Sequence, residues 1–174
     1  ISGDDTVIIG RGIESTIVDI QRVDFTDPSS GRKVTIFDTP GFDESVDGFE
    51  AGDFSDTDIL KKIVEFLFKE YDAHRKLDGL VYFQKISEPR FSTRQSKRTL
   101  TMFKKLCGAD TFKNTVVLTT FWDNVSEEKG EARERDMHIR FQELIEGDAL
   151  FMRYTREFPD TPQKVIDYIL TLMP

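Results

Sequence analysis

Two short acidic motifs sit where apolar segments end, and both have residue types suited to a nucleotide. Asp38-Thr39-Pro40-Gly41 directly follows Val34-Thr35-Ile36-Phe37. An aspartate at a strand end can hold a magnesium ion through water, because magnesium takes one or two carboxylates and fills its shell with phosphate oxygens and water. Gly41 has no side chain, so its backbone can approach a terminal phosphate and donate its N–H. A plain turn fits the same letters, with Pro40 presetting one dihedral and Gly41 supplying another. The position between a strand and a long acidic loop favours the phosphate reading. The second motif, Thr119-Thr120-Phe121-Trp122-Asp123, follows Val116-Val117-Leu118. Guanine presents two donors on one edge, and the Asp123 carboxylate can accept both, whereas adenine lacks that pair. Phe121 offers a plane on which a base can stack. Taken alone, the stretch reads as the start of a loop with Trp122 filling core. A third candidate is Thr16, whose hydroxyl can complete a magnesium shell when a triphosphate is bound. In isolation it is an ordinary β-branched strand residue.

These residues need a scaffold, and the apolar pattern supplies one. Val18 to Phe25 and Lys33 to Phe37 read as two strands joined by the turn formers Asp27-Pro28-Ser29-Ser30-Gly31. An acidic, glycine-bearing stretch from Gly41 to Asp56 has no period. Ser55 with Asp58 resembles a helix-capping pair, and Ile59, Leu60, Ile63, Leu67 and Tyr71 then share one helical face. Leu80-Val81-Tyr82-Phe83 reads as a strand buried on both faces of a parallel sheet. A helix from about Ser92 to Leu106, the strand Val116–Leu118, a very polar helix from about Ser126 to Leu144 and a strand Leu150–Tyr154 follow. A last helix runs from about Pro162 to Leu172, with Thr161 as N-cap and proline in the tolerant first turn. A hairpin followed by alternating strands and helices predicts one α/β domain, 1–174. Its sheet is mostly parallel with one antiparallel edge. Such sheets bind ligands beyond the carboxyl ends of their strands, which directs attention to the loops after Phe37, Phe83, Leu118 and Tyr154.

Composition narrows the function classes. The net charge of -8 argues against nucleic acid as a partner and against adsorption to an anionic membrane. No apolar run is long enough to cross a bilayer, since even Ile63–Phe68 contains Glu65. Cys107 is the only cysteine, so no disulfide forms within the chain and a reducing cytoplasm is the expected setting.

The order of the motifs is more telling than any one of them. A threonine before a hairpin, Asp-Thr-Pro-Gly after it and Thr-x-x-Asp after a later buried strand recur in that order in guanine-nucleotide-binding domains. The chain resembles the septin-related GTPases, closest to the immunity-associated nucleotide-binding proteins and their fungal relatives. Val34–Asp43, Leu77–Ser87, Met102–Gly108 and Val116–Asp123 carry the likeness. It implies a Ras-like P-loop GTPase fold that binds GTP or GDP with Mg2+. Asp38 and Gly41 match the second-switch pair, and Thr120 and Asp123 the ends of the base-reading motif. Phe121 stands where a lysine is usual. Thr16 matches the magnesium-binding threonine of the first switch, although a second register puts Ile17 there. The base-capping loop falls near Tyr154 and Thr155.

The resemblance also implies a phosphate loop, Gly-x-x-x-x-Gly-Lys-Ser/Thr, which cradles phosphates with backbone N–H groups and one lysine. No glycine here is followed by lysine. The expectation is therefore a G domain lacking its N-terminal strand and phosphate-binding loop through truncation upstream. Phe42 occupies the position where Ras-like enzymes often carry a water-orienting glutamine, so hydrolysis is expected to be slow and to need a partner, such as a second copy facing the nucleotide. The alternative is a nucleotide-independent scaffold on the same fold. Cys107, His74 and His138 lack the spacing for nucleophilic or metal chemistry. The basic run Arg90 to Lys105 and the mixed-charge helix Glu127 to Arg140 read as solvated faces.

Overall fold

The computed structural model describes residues 20–40, 56–74, 76–87, 101, 103–105 and 108–173. Thr16, Gly41, Phe42, Cys107 and most of the expected helix Ser92–Leu106 lie outside them. The chain divides into two compact units, Ile1–Arg75 and Lys76–Pro174. The antiparallel pair and the parallel sheet expected from the sequence are both present, one in each unit.

In the first unit, β1 (Gln21–Thr26) and β2 (Lys33–Asp38) pair antiparallel from Gln21↔Asp38 to Thr26↔Lys33. The turn between them is organised by Asp27. Its buried carboxylate accepts from Ser29 Oγ (2.7 Å) and from the Ser30 backbone N–H (2.8 Å). Gly31 supplies the left-handed φ of 68° that closes the turn, a conformation disfavoured for residues with a Cβ. On the face of the pair that carries Asp24, its carboxylate binds the Arg22 guanidinium and accepts from Thr35 Oγ1 on the opposite strand. Helix α1 (Asp56–Asp72) follows. Its Phe66 ring packs 4.6 Å from that of Phe37 in β2, and Ile59 is buried. Tyr71 departs from the expected apolar face: it is 70% exposed, and the packed stripe ends a turn earlier.

In the second unit, β3 (Leu80–Lys85), β4 (Thr115–Thr120) and β5 (Leu150–Arg153) form a parallel sheet in the order β3-β4-β5. Central β4 is buried nearly throughout, as its continuous apolar run predicts. Successive residues face opposite sides of a strand, and β4 seeds two cores accordingly. Val117 joins Phe112, Met137, Phe141 and Leu144 on one side, while Val116 and Leu118 join Val165 on the other. Strand β3 differs from expectation. Among the described residues it is an end strand of this sheet, and Phe83 is 66% exposed rather than buried.

The polar helix expected over Ser126–Leu144 is broken in two, α2 (Glu127–Arg140) and α3 (Gln142–Glu146). The break falls at Phe141 (φ -94°, ψ 14°), whose N–H still bonds Met137 O while its own carbonyl accepts from both Leu144 and Ile145. Met137, Phe141 and Leu144, at i, i+4 and i+7, stay in one core, so the apolar face carries on across the break. Acidic Glu127 and Glu128 open α2 and His138 and Arg140 close it, matching the helix dipole. The final helix, α4 (Thr161–Thr171), starts one residue before the expected boundary. Its N-cap is Asp160 rather than Thr161, whose hydroxyl donates instead to Phe158 O (2.9 Å) and Arg153 O (3.2 Å). Among the described residues no helix is long and apolar enough to cross a membrane.

Candidate functional site at the carboxyl ends of the parallel sheet

The carboxyl ends of β3, β4 and β5 are tied into one rim by backbone hydrogen bonds that continue past the strands. Ile86 N–H donates to Thr120 O (2.9 Å) and Tyr154 N–H to Thr119 O (2.8 Å). The loops after all three strands therefore begin side by side. The chain leaves β4 through Phe121 and a single 3-10 turn, Trp122–Asn124. Phe121 adopts a left-handed backbone (φ 60°, ψ 35°), which costs a residue with a Cβ on the order of 1–2 kcal/mol. Such strain persists only where the surroundings over-determine it, and it concentrates at binding sites.

Trp122 is what over-determines it. Its indole Nε1–H donates to Thr119 Oγ1 (2.9 Å), and that buried hydroxyl in turn donates to Met152 O (3.2 Å) in β5. The Arg153 guanidinium lies 4.3 Å from the indole centroid, within cation–π range. Gly130 of α2 approaches so closely that a Cβ there would fall 2.7 Å from the ring. Arg153 is itself held by both oxygens of Glu134 in α2, with Nε–H donating at 2.8 Å. That carboxylate holds the guanidinium pKa above its ordinary value, against a smaller opposing effect of burial. A second α2 arginine, Arg133, donates to Ile86 O (2.9 Å) and Ser87 O (2.7 Å) just beyond β3. The helix expected to be a solvated face is thus a brace: Gly130, Arg133, Glu134 and Met137 all engage the sheet or its loops.

On this support the turn displays its chemistry to solvent. Phe121 is 51% exposed, and Lys85 Nζ at the end of β3 lies 5.7 Å from its ring centroid. The Asp123 side chain is 48% exposed, and its Oδ2 pairs with Arg156 Nε at 2.9 Å. Tyr154 is 43% exposed, while Thr155 Oγ1 is buried and has no hydrogen-bond partner. Thr120 is part-buried, and its carbonyl closes the rim to β3. An exposed aromatic plane beside a carboxylate with two acceptor oxygens can stack on a planar heterocycle and accept from two adjacent donors on its edge.

Thr120, Phe121, Asp123 and Tyr154 are therefore gathered in one rim. Asp38 is the exposed terminal residue of β2 in the first unit, paired in register with Gln21, and Thr16 and Gly41 fall outside the described residues. Lys85, Glu134, Arg153 and Arg156 were not read from the sequence as site residues. Their partners lie in other elements, and only Lys85, directly at a strand's carboxyl end, carried a positional hint. Among the described residues no group of His, Cys, Asp or Glu side chains is clustered as an all-protein metal cage.

A parallel sheet covered by helices on both faces, with its polar loops beyond the carboxyl ends, is an α/β fold of the kind that binds ligands at that rim. The chain shares its fold with Toc33 from Arabidopsis thaliana. It aligns with a dimerization-deficient mutant (TM-score 0.66) and with the complex with Mg2+ and GMPPNP (TM-score 0.65). In both cases the sequences are 16% identical over 97% of this chain and 76% of the Toc33 chain. No family model and no curated protein matches the sequence.

Proposed function

We propose that this chain is a guanine-nucleotide-binding switch domain of the septin-related, immunity-associated type, acting in the cytoplasm. The observation that carries the reading is the Phe121–Asp123 turn, in which a stacking ring and a base-reading carboxylate are held on a strained backbone by the braced Trp122. The shared fold of Toc33, solved with Mg2+ and GMPPNP, supports the same ligand class here. Asp38, one exposed carboxylate at a strand end, suits a magnesium ion that completes its shell with phosphate oxygens and water. Bound there, Mg2+ supplies charge neutralisation to the phosphates. Hydrolysis by the full-length protein is slow, since Phe42 cannot orient water, and a second copy across the nucleotide face supplies what is missing. The existence of a dimerization-deficient Toc33 mutant is in keeping with that arrangement.

Fluorescent-nucleotide displacement on Asp123→Ala in the full-length protein tests the reading. Removing two charge-assisted hydrogen bonds weakens GDP and GTP alike, by about tenfold or more. A variant that keeps its GDP affinity overturns the base-reading role and leaves a scaffold built on the same fold.

A further inference from the structure

The proposed base-reading carboxylate is not vacant. The Arg156 guanidinium forms a salt bridge with it, Nε lying 2.9 Å from Asp123 Oδ2, reaching across from the loop after β5 to the turn after β4. A guanidinium is a planar group of donors with no acceptor. The edge of guanine that a carboxylate recognises is also a planar set of N–H donors. Arg156 thus sets a cation against the carboxylate oxygens that the N–H donors of the base would take. We infer that Arg156 is an internal stand-in for guanine, and that it sets nucleotide affinity by competing with the base for Asp123. This rests on the base-reading role proposed above.

The local structure makes the exchange a matter of one side chain. The backbone around Arg156 is pinned at both ends. Tyr154 N–H bonds Thr119 O, and Phe158 N–H bonds Thr155 O (3.2 Å). Thr161 ties the far end of the loop to Arg153 O through its hydroxyl. The Arg156 side chain itself is 87% exposed and Asp123 is 48% exposed, so the pair opens by rotation into water. Side-chain rotation of this kind takes picoseconds to nanoseconds, so the competition is an equilibrium one and adds no slow step. An exposed pair is weak, and displacing it costs a factor of about 1.4 to 5 in affinity.

Displacement of fluorescent GDP from the full-length protein, as wild type, Arg156→Gln, Arg156→Lys and Asp123→Ala, at low and high salt, tests the inference. Arg156→Gln tightens GDP by about two- to fivefold at low salt, and the gain shrinks as salt screens the pair in wild type. The sign is diagnostic, because deleting a cation by itself weakens an anionic ligand. Arg156→Lys, which keeps the charge, stays near wild type. Unchanged or weaker GDP binding by Arg156→Gln, with Asp123→Ala still impaired, overturns the competition but leaves the base reader standing. If Asp123→Ala binds like wild type, the base reader falls and the inference falls with it.

Discussion

Gly130→Ala asks whether the site is held by contact between α2 and Trp122. The added Cβ would lie 2.7 Å from Cζ3 and 3.0 Å from Cε3 of the indole. Carbon atoms rest at about 3.5–4.0 Å, so roughly an ångström of movement is needed. The ring cannot give freely, because its Nε1–H is tied to Thr119 and its face is covered by Arg153. In a helix interior alanine is better than glycine by about 1 kcal/mol, which is the only term favouring the variant. Overpacking costs about 1–3 kcal/mol. If the indole shifts, part of a hydrogen bond (about 1 kcal/mol) and of a cation–π contact (about 0.5–1 kcal/mol) is lost as well. The net expectation is a loss of about 2 kcal/mol in urea unfolding. Trp122 is the only tryptophan, so intrinsic fluorescence reports its surroundings without interference. Its emission should change in the native state, and GDP affinity should fall because Phe121 and Asp123 flank the displaced residue. A variant as stable as wild type or more so, with unaltered emission, would refute the brace.

Met137→Ala should cost about 2–5 kcal/mol in the same assay, since Met137 is completely buried among Phe112, Val117, Phe141 and Leu144; near-zero loss would restore α2 as a solvated face. Glu134→Gln should weaken folding by about 1–3 kcal/mol and loosen the Arg153–Trp122 stack, seen as altered tryptophan emission. The Asp24 carboxyl titrates below its ordinary value, chiefly through its hydrogen bond from Arg22 and then that from Thr35. A depressed folded pKa gives stability that is present above the unfolded value of about 3.9 and lost as pH falls through the folded one. NMR titration of Arg22→Ala should move the Asp24 midpoint upward; an unmoved midpoint would exclude the pair as its cause.

Sequence pattern located the sheet better than it located what the sheet supports. The apolar runs at Leu80–Phe83 and Val116–Leu118 marked β3 and β4, because continuous burial leaves a continuous signal. The same rule failed at Phe83, which is exposed on a strand paired on one side only among the described residues, and a run of apolar letters cannot show that. That Phe121 and Asp123 sit in the turn just beyond a strand end was legible, because they directly follow a continuous apolar run. Arg133 was not, since its carbonyl partners lie 46 and 47 residues away and a mixed-charge helix gives no hint of which charges turn inward. The break at Phe141 was hidden for a related reason. The apolar spacing Met137-Phe141-Leu144 continues across it, so both propensity and pattern run straight through. Arg156 left no trace because nothing in its neighbourhood of sequence points back to Asp123.

The double grip of Arg133 on Ile86 O and Ser87 O, together with the Glu134–Arg153–Trp122 stack, makes one helix responsible for all three strand ends. Groups fixed in advance lose little freedom when a ligand arrives, so binding energy there is spent on recognition rather than on ordering. A seat of that kind can select the base but is blind to how many phosphates follow it. Under the proposed guanine-nucleotide function, whatever tells a triphosphate from a diphosphate has to be read by other residues.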